Sequence, residues 1–399
     1  MSWYWITGSL LYWFIRERHQ PAFTEPPALP STPLVSVLLP CFNESKQLHE
    51  TLAVLMASHY PNYEVIAIND GSSDDTAEIL DQLIRQYPKL RVAHMVGNQG
   101  KSTALNAGLY LAKGDFLICI DGDALLDPYA INWLVGRFLS DEKLGGVTGN
   151  PRIRNRTSIL GKLQVGEFSS IVGMIKRTQS IYGGLFTVSG VICAFRKLAI
   201  MEAGLWAPEA LTDDVDITLR IQVKGWHISF EPHALCWILM PETLGGLWKQ
   251  RVRWSEGGAQ AALGATRAIM RSHPFSWPLL LIWINFFTSI AWAFCIVIWF
   301  TLTNVTGILH HGSFNIYKNF IPQWWGTILA CSYLLQSLIG MALDSRYEKS
   351  IYKAFAWIIW YPLVYWSIQT CSCVVGFTKA LFRPANTKGT WISPDRGLR

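Results

Sequence analysis

Charge is scarce in this chain. Asp, Glu, Lys and Arg make up only 16% of its 399 residues, against 50% hydrophobic residues. That balance excludes an ordinary soluble protein. No dense basic block appears, so the net charge of +6 leaves no footprint for nucleic acid; it suits a protein lying against an anionic cytoplasmic leaflet. The eight cysteines show no pairing by spacing. Cys41, Cys119, Cys193 and Cys236 fall mostly in apolar strand-like runs, and Cys295, Cys331, Cys371 and Cys373 in membrane runs. Reduced, packed thiols are expected. Cys371 and Cys373 lack the second ligand pair that a zinc site needs. No small-residue cleavage site follows the apolar stretch 3–15, so a cleaved signal peptide is not expected.

Present instead is an alternation of apolar strands and helices. Residues 3–15, trailed by Arg16, Arg18 and His19, are short for a bilayer span of about 20 residues. They read as a marginal or truncated membrane helix with a cytoplasmic end. Residues 21–33 are a proline-rich linker. Strands are expected at 35–39, 64–68, 91–95 and 116–120, and helices at 46–57, 75–87 and 101–112. Continuous apolar strands between helices predict an α/β domain over 34–243, with a Rossmann-like parallel sheet covered on both faces. Ligands of such sheets bind beyond the carboxyl ends of the strands. Residues 159–182 form a long amphipathic helix carrying Lys162, Glu167, Lys176 and Arg177, which either lies along the membrane or braces the site. Residues 187–195 read as a strand pair broken by Gly190, and 213–224 as a helix opening on carboxylates.

Residues 244–277 look interfacial, and 278–377 hold three expected transmembrane helices, at 278–303, 324–343 and 355–377. The positive-inside bias places the loop around 304–323 outside and that at 344–354 inside. The basic tail 378–399 then falls outside by counting. Either it is extracytoplasmic or one span is re-entrant.

Several polar clusters stand at expected strand ends. Asn69-Asp70-Gly71-Ser72 is an Asp-Gly turn whose carboxylate can accept from a ribose or base, or simply a capped turn. Pro40, Asn43 and Glu44 end the first strand in the same layer and would complete a nucleotide pocket. Asp121-Gly122-Asp123 puts two acids around a glycine after an apolar strand, which suits Mg²⁺ on a diphosphate. Asn98-Gln99-Gly100-Lys101 opens a helix whose amides and ammonium can meet an anion; a solvated surface lysine is the plain alternative. Thr212-Asp213-Asp214 begins a helix, as a cap or as a general base. In Gln250-Arg251-Val252-Arg253-Trp254, Arg supplies a fork for phosphate oxygens and Trp a face for a sugar. The bland reading is an interfacial basic helix. Arg251 and Arg253 point roughly 200° apart on a helix, so one of them is expected at a diphosphate and the other on a carboxylate or headgroup.

Taken in order, Asp70, Asp121/Asp123, Asp214, Gln250 to Trp254 and then membrane spans, the chain resembles the processive family 2 glycosyltransferases. Several runs look like bacterial poly-β-1,6-N-acetylglucosamine synthases: Thr148-Gly149-Asn150-Pro151-Arg152-Ile153-Arg154, Val188-Ser189-Gly190-Val191-Ile192, Leu235 to Trp248, and Trp391-Ile392-Ser393-Pro394-Asp395-Arg396-Gly397. Two departures are Asp213, where the family pattern has Glu, and a short N-terminal membrane region. The resemblance implies a GT-A domain on the cytoplasmic side of the bacterial inner (plasma) membrane in a multi-pass protein. It implies UDP-N-acetylglucosamine as donor, Mg²⁺ or Mn²⁺ on Asp123 with Asp121 near the nucleotide, and Asp70 at the uridine. It implies Asp214 as the base, with Ser189, Gly190, Gln250, Arg251, Arg253 and Trp254 around acceptor and diphosphate, Arg253 being the arginine expected at the diphosphate and Trp254 expected under the acceptor sugar. The expected product is a β-linked, extracellular biofilm polysaccharide passing through the lipid bilayer, with a small membrane accessory subunit alongside. The rival readings are another processive β-glycan synthase, a transferase adding one sugar to a lipid phosphate, and an inactive membrane scaffold or transporter subunit.

Overall fold

The computed structural model describes residues 2–20, 25–272, 276–311 and 324–384. Eight strands form one sheet: β1 Val35–Cys41, β2 Tyr63–Asn69, β3 Leu90–His94, β4 Phe116–Ile120, β5 Leu125–Leu126, β6 Leu144–Ile153, β7 Ile192–Arg196 and β8 His227–Ile238. Their spatial order is β3-β2-β1-β4-β7-β6-β8-β5. Strand alternation sorts the apolar residues onto two faces. Val35, Val37, Leu39, Val65, Ile118 and Ala194 enter one core; Leu38, Ile66, Ile68, Leu117, Cys119, Cys193 and Phe195 enter the other. Helices α2 Leu48–Met56, α3 Thr76–Leu83, α4 Lys101–Leu111, α5 Ala130–Ser140, α8 Lys197–Glu202 and α9 Asp213–Val223 belong to this domain. All eight cysteines are free.

The sheet is mixed, not wholly parallel. β1 to β4 run together, while β7 is antiparallel to both β4 and β6, and β5 is antiparallel to β8. The chain reaches β7 from segments already at the carboxyl ends of the other strands, so β7 must run back down. β6 and β8, the longest strands at 10 and 12 residues, were not anticipated. Gly145, Gly146, Gly149, Pro151 and Pro232 interrupt their apolar runs. At Gly149 a Cβ would stand 2.6 Å from the Ala234 carbonyl oxygen, so glycine marks a close approach of two backbones.

The amphipathic stretch is α6 Ile159–Glu167, a π turn Phe168–Gly173 and α7 Met174–Ile181. It braces the sheet. α1 Ser2–Tyr12 docks on α7: Thr178 donates to the Trp5 carbonyl at 3.1 Å, Tyr4 stacks on Tyr182, and Tyr12 donates to the Phe230 carbonyl. α1 runs on directly into a π turn, Trp13–Glu17. Below it lies a buried ion network. Arg177 Nε reaches Glu17 at 3.0 Å and its Nη1 reaches Asp344 at 2.8 Å, while Arg152 reaches Asp344 at 2.9 Å. None of these four side chains is more than 2% exposed.

α10 Leu244–Met270 is capped by the Thr243 hydroxyl, which accepts from the Gly246 amide. Among the described residues, two helical segments are long and apolar enough to cross a membrane, Trp277–Thr306 within α11 Trp277–His311, and Gly326–Asp344. The third expected span is broken into a helical turn Phe355–Ile358 and a helix Tyr361–Phe382. Pro362 stands in the first turn of that helix, where its missing N–H costs no bond. Helix Tyr361–Phe382 packs along α10: a Cβ on Gly376 would meet Ser255 Cβ at 2.6 Å, the close crossing that small residues permit. The expected outer loop beyond His311, the run 391–397 and most of the basic tail lie outside the described residues.

Candidate active site

Four motifs distant in sequence meet above the carboxyl ends of the central strands. Lys101, first residue of α4, donates to Asp121 at the end of β4 (2.6 Å) and lies 3.8 Å from Asp213. Its Nζ also reaches the Gly190 carbonyl at 3.4 Å. The Gly190 amide donates to Asp214 Oδ2 at 3.2 Å, and Asp214 Oδ1 accepts from the Val215 amide. Thr212 makes no side-chain cap. Asp214 therefore faces the Gly190 turn of another segment as well as its own helix. A Cβ at Gly190 would stand 3.3–3.4 Å from Asp214 and from Lys101 Nζ, so the site is closed tightly around that glycine.

Burial pushes the Asp214 carboxyl up to about 6, with the neighbouring Asp213 charge adding to the rise; Lys101, the Val215 amide and Arg253 pull the other way. The Lys101 ammonium is raised: burial opposes its charge, but Asp121 and Asp213 outweigh burial.

Asp70 is fully buried. Its two oxygens accept from the Gln99 and Gly100 amides at 2.8 Å each, so it anchors the turn that launches α4. Burial raises its pKa, and the two amides oppose that rise. Asn43 has φ +57°, a conformation Asn tolerates, and it ties the end of β1 to Ser72 and Ser73. Pro40 and Glu44 are buried at the same end. Glu44 lies beneath Gly122, where a Cβ would meet its Cγ at 2.8 Å. The glycine between Asp121 and Asp123 thus lets the acidic turn sit down on the β1 end. Asp123 is 7% exposed.

Of the two arginines, Arg251 is the one on a carboxylate. Arg251 is buried, donates to Glu167 and to Tyr365 at 2.8 Å each, and stacks 4.4 Å from the Trp254 ring. Trp254 packs on the apolar core. Arg253 is exposed, donates to the Leu211 carbonyl at 3.3 Å, and is felt by Asp214. Gly257, four residues on, fits against Thr212, which lets α10 approach the start of α9. Gln250 is part-buried, with its amide oxygen unpartnered among the described residues.

Two participants went unrecognised in the motifs. Lys176 is 4% exposed and donates to Thr148 at 3.0 Å and to Ser189; Ser189 in turn donates its amide to Thr148. Burial drives the Lys176 ammonium down to about 7, against the pull of Asp214. Glu167 is the partner of Arg251. Both lie on the stretch expected to brace the site, but sequence spacing alone cannot pair residues 84 positions apart.

The family described as Glycosyltransferase like family 2 matches residues 32–257. Poly-beta-1,6-N-acetyl-D-glucosamine synthase of Staphylococcus aureus (strain COL) is 38% identical over 399 residues, covering 100% of this chain and 96% of that protein. The enzyme of the same name from Staphylococcus epidermidis is 37% identical over 401 residues with the same coverage. Among solved structures, the mannosyltransferase PcManGT from Pyrobaculum calidifontis, in complex with GDP-Man and Mn²⁺, superposes with a TM-score of 0.59 at 18% identity. The match covers 95% of this chain and 96% of that one, a likeness of fold. With the matched region spanning the sheet, the acidic turns and the start of α10, the chain belongs to glycosyltransferase family 2.

Proposed function

We propose that this protein is a processive, inverting transferase that builds a β-linked polymer of N-acetylglucosamine, with 1,6 linkage, from UDP-N-acetylglucosamine at the cytoplasmic face of a bacterial plasma membrane. The observation that carries the reading is the meeting of Asp121, Lys101, Asp213 and Asp214 around Gly190. The names of the staphylococcal relatives support the sugar and linkage, and the two long apolar helices support the membrane.

The chemistry follows from the groups. Asp214 takes the proton of the acceptor hydroxyl. The freed oxygen attacks the anomeric carbon from the face opposite UDP. The carbon–oxygen bond to UDP breaks, and its electron pair leaves with the diphosphate. Configuration inverts from α to β. Lys101 and Arg253 bring positive charge near the departing group, fixed in place before reaction. Arg251, engaged by Glu167 and Tyr365, fixes Trp254 by stacking on its ring. Asp70 shapes the Gln99-Gly100 turn behind it, and Pro40, Asn43 and Glu44 hold the nucleotide end of the cleft.

A divalent cation fits these residues. Asp121 and Asp123 are hard oxygen donors, and Asp123 would hold Mg²⁺ or Mn²⁺ with Asp121 beside it. Two carboxylates are enough for an ion whose remaining ligands are substrate phosphate and water. When bound, the ion supplies charge neutralisation at the leaving diphosphate.

The test is synthesis by the purified protein in nanodiscs, with product size and linkage determined. A long 1,6-linked polymer is expected. Excess chelator should stop synthesis and Mn²⁺ or Mg²⁺ restore it, and Asp123→Ala should insert normally but stay inactive. A single sugar on lipid, or full turnover in chelator, would overturn the respective part.

A further inference from the structure

A second cavity, of about 330 Å³, shares no lining residue with the Gly190 cluster. It is set where the β5–β8 edge of the sheet meets the linker before β1 and the turn after Asp344. Leu235 of β8 forms part of its floor. Its walls are aromatic and acidic: Trp133 on α5, Tyr129, Tyr347, and the carboxylates of Glu25 and Asp127. Tyr129 donates to Glu25 at 3.0 Å, which ties the linker to the cavity mouth.

His233 is part of the lining. Its ring stacks on Trp133 with centroids 4.2 Å apart and meets Tyr347 edge-on at 5.0 Å. His233 is 6% exposed and Tyr347 3%. Its Nδ1 stands 2.8 Å from Glu231 Oε1. A carboxylate can only accept, so in the neutral ring Nδ1 carries the proton and Nε2 is left as an acceptor. That Nε2 and the Tyr347 hydroxyl are both buried without a hydrogen-bond partner among the described residues. A buried polar atom left unpaired costs free energy that a ligand can recover.

The lining has a consistent bias. It offers two carboxylates, an imidazole acceptor and three electron-rich ring faces, and among the described residues it includes no Lys or Arg. Such a set suits a cation bearing N–H donors, held by charge-assisted hydrogen bonds and by ring faces. From these observations we propose that the cavity is a binding site for a small organic cation carrying a primary ammonium, distinct from the transferase site. The acidic lining favours a free amine over a lipid headgroup, whose phosphodiester would meet Glu25 and Asp127.

Saturation-transfer NMR on the full-length protein in detergent tests this with three probes: ethanolamine, its neutral analogue N-acetylethanolamine, and phosphorylethanolamine. Ethanolamine should bind saturably, the neutral analogue should not, and phosphorylethanolamine should bind more weakly. Glu25→Gln and Asp127→Asn keep side-chain shape, and the amide oxygen that Asp127→Asn introduces can still accept from the Tyr129 amide as Asp127 does. Each should weaken ethanolamine by about tenfold or more, the loss of one charged hydrogen bond, without moving the melting temperature. Three results would overturn the proposal: no saturable binding to the folded protein, equal binding of the neutral analogue, or unchanged affinity in both variants. Phosphorylethanolamine binding as well as ethanolamine would overturn the free-amine assignment.

Discussion

Replacing Arg251 by Ala would strand the Glu167 carboxylate, whose side chain is 6% exposed and whose pKa burial already pushes up against the pull of Arg251. Three things go at once: the 2.8 Å pair, the bond to Tyr365 and the stack on Trp254. Removing one member of a buried pair costs about 3–5 kcal/mol. At roughly 2–4 °C per kcal/mol for a domain of this size, the melting temperature should fall by about 6–20 °C. A paired replacement, Glu167→Gln with Arg251→Met, removes both charges and should recover most of that loss. Arg253→Ala, at an exposed position, should leave the melting temperature nearly unmoved yet depress transfer. Arg253→Lys should depress it too, because the bidentate fork is lost. The assay is thermal unfolding of detergent-purified protein beside transfer rate for each variant. Arg251→Ala that melts like the parent but loses transfer would refute the division, since Arg251 would then be serving substrate.

Transfer should fall as pH drops through about 6, where Asp214 gains its proton. Because this folded-state pKa is raised, the stability linked to Asp214 is present at low pH and is lost as pH rises through about 6, opposite to activity; paired rate and melting profiles check both signs. Lys101→Met removes a charge that lowers the Asp214 pKa, so the acid limb of the rate profile should move to higher pH. Asp70→Asn can no longer accept from both the Gln99 and Gly100 amides, and should cost about 1–3 kcal/mol with weaker nucleotide binding, read by thermal shift and by UDP titration.

The first half of the sheet was legible because each of its strands is a short apolar run closed by a turn motif, and the acids follow at the strand ends. Residues 116–120 form a strand with the expected bounds. β6 and β8 were not legible: their glycines and prolines break the pattern, and pairing with each other is what makes them strands. Lys101 was visible as a helix-opening lysine, but its grip on Asp121 depends on α4, packed against β1 and β2, opening beside the end of β4. The spacing of Arg251 and Arg253 implied that they would part company. The family pattern assigned the carboxylate or headgroup to Arg251, but its actual partner, Glu167, is brought over by the fold of α6. Lys176 looked like one polar residue of an amphipathic helix, because nothing in its neighbourhood in sequence reveals Thr148 or Ser189.

The Glu17–Arg177–Asp344–Arg152 network bears on how the chain is assembled. Arg152 and Arg177 are synthesised long before Asp344, and both are enclosed in the finished fold. Until the helix ending at Asp344 is in place, the emerging domain holds two cations with one acid, Glu17, between them. Closing around them would strand charge away from water. Completion of the catalytic domain is therefore tied to arrival of the helix that ends at Asp344. A ribosome product cut short before that helix should remain open and protease-sensitive, so that the sheet domain is not finished ahead of the long apolar helix packed on it.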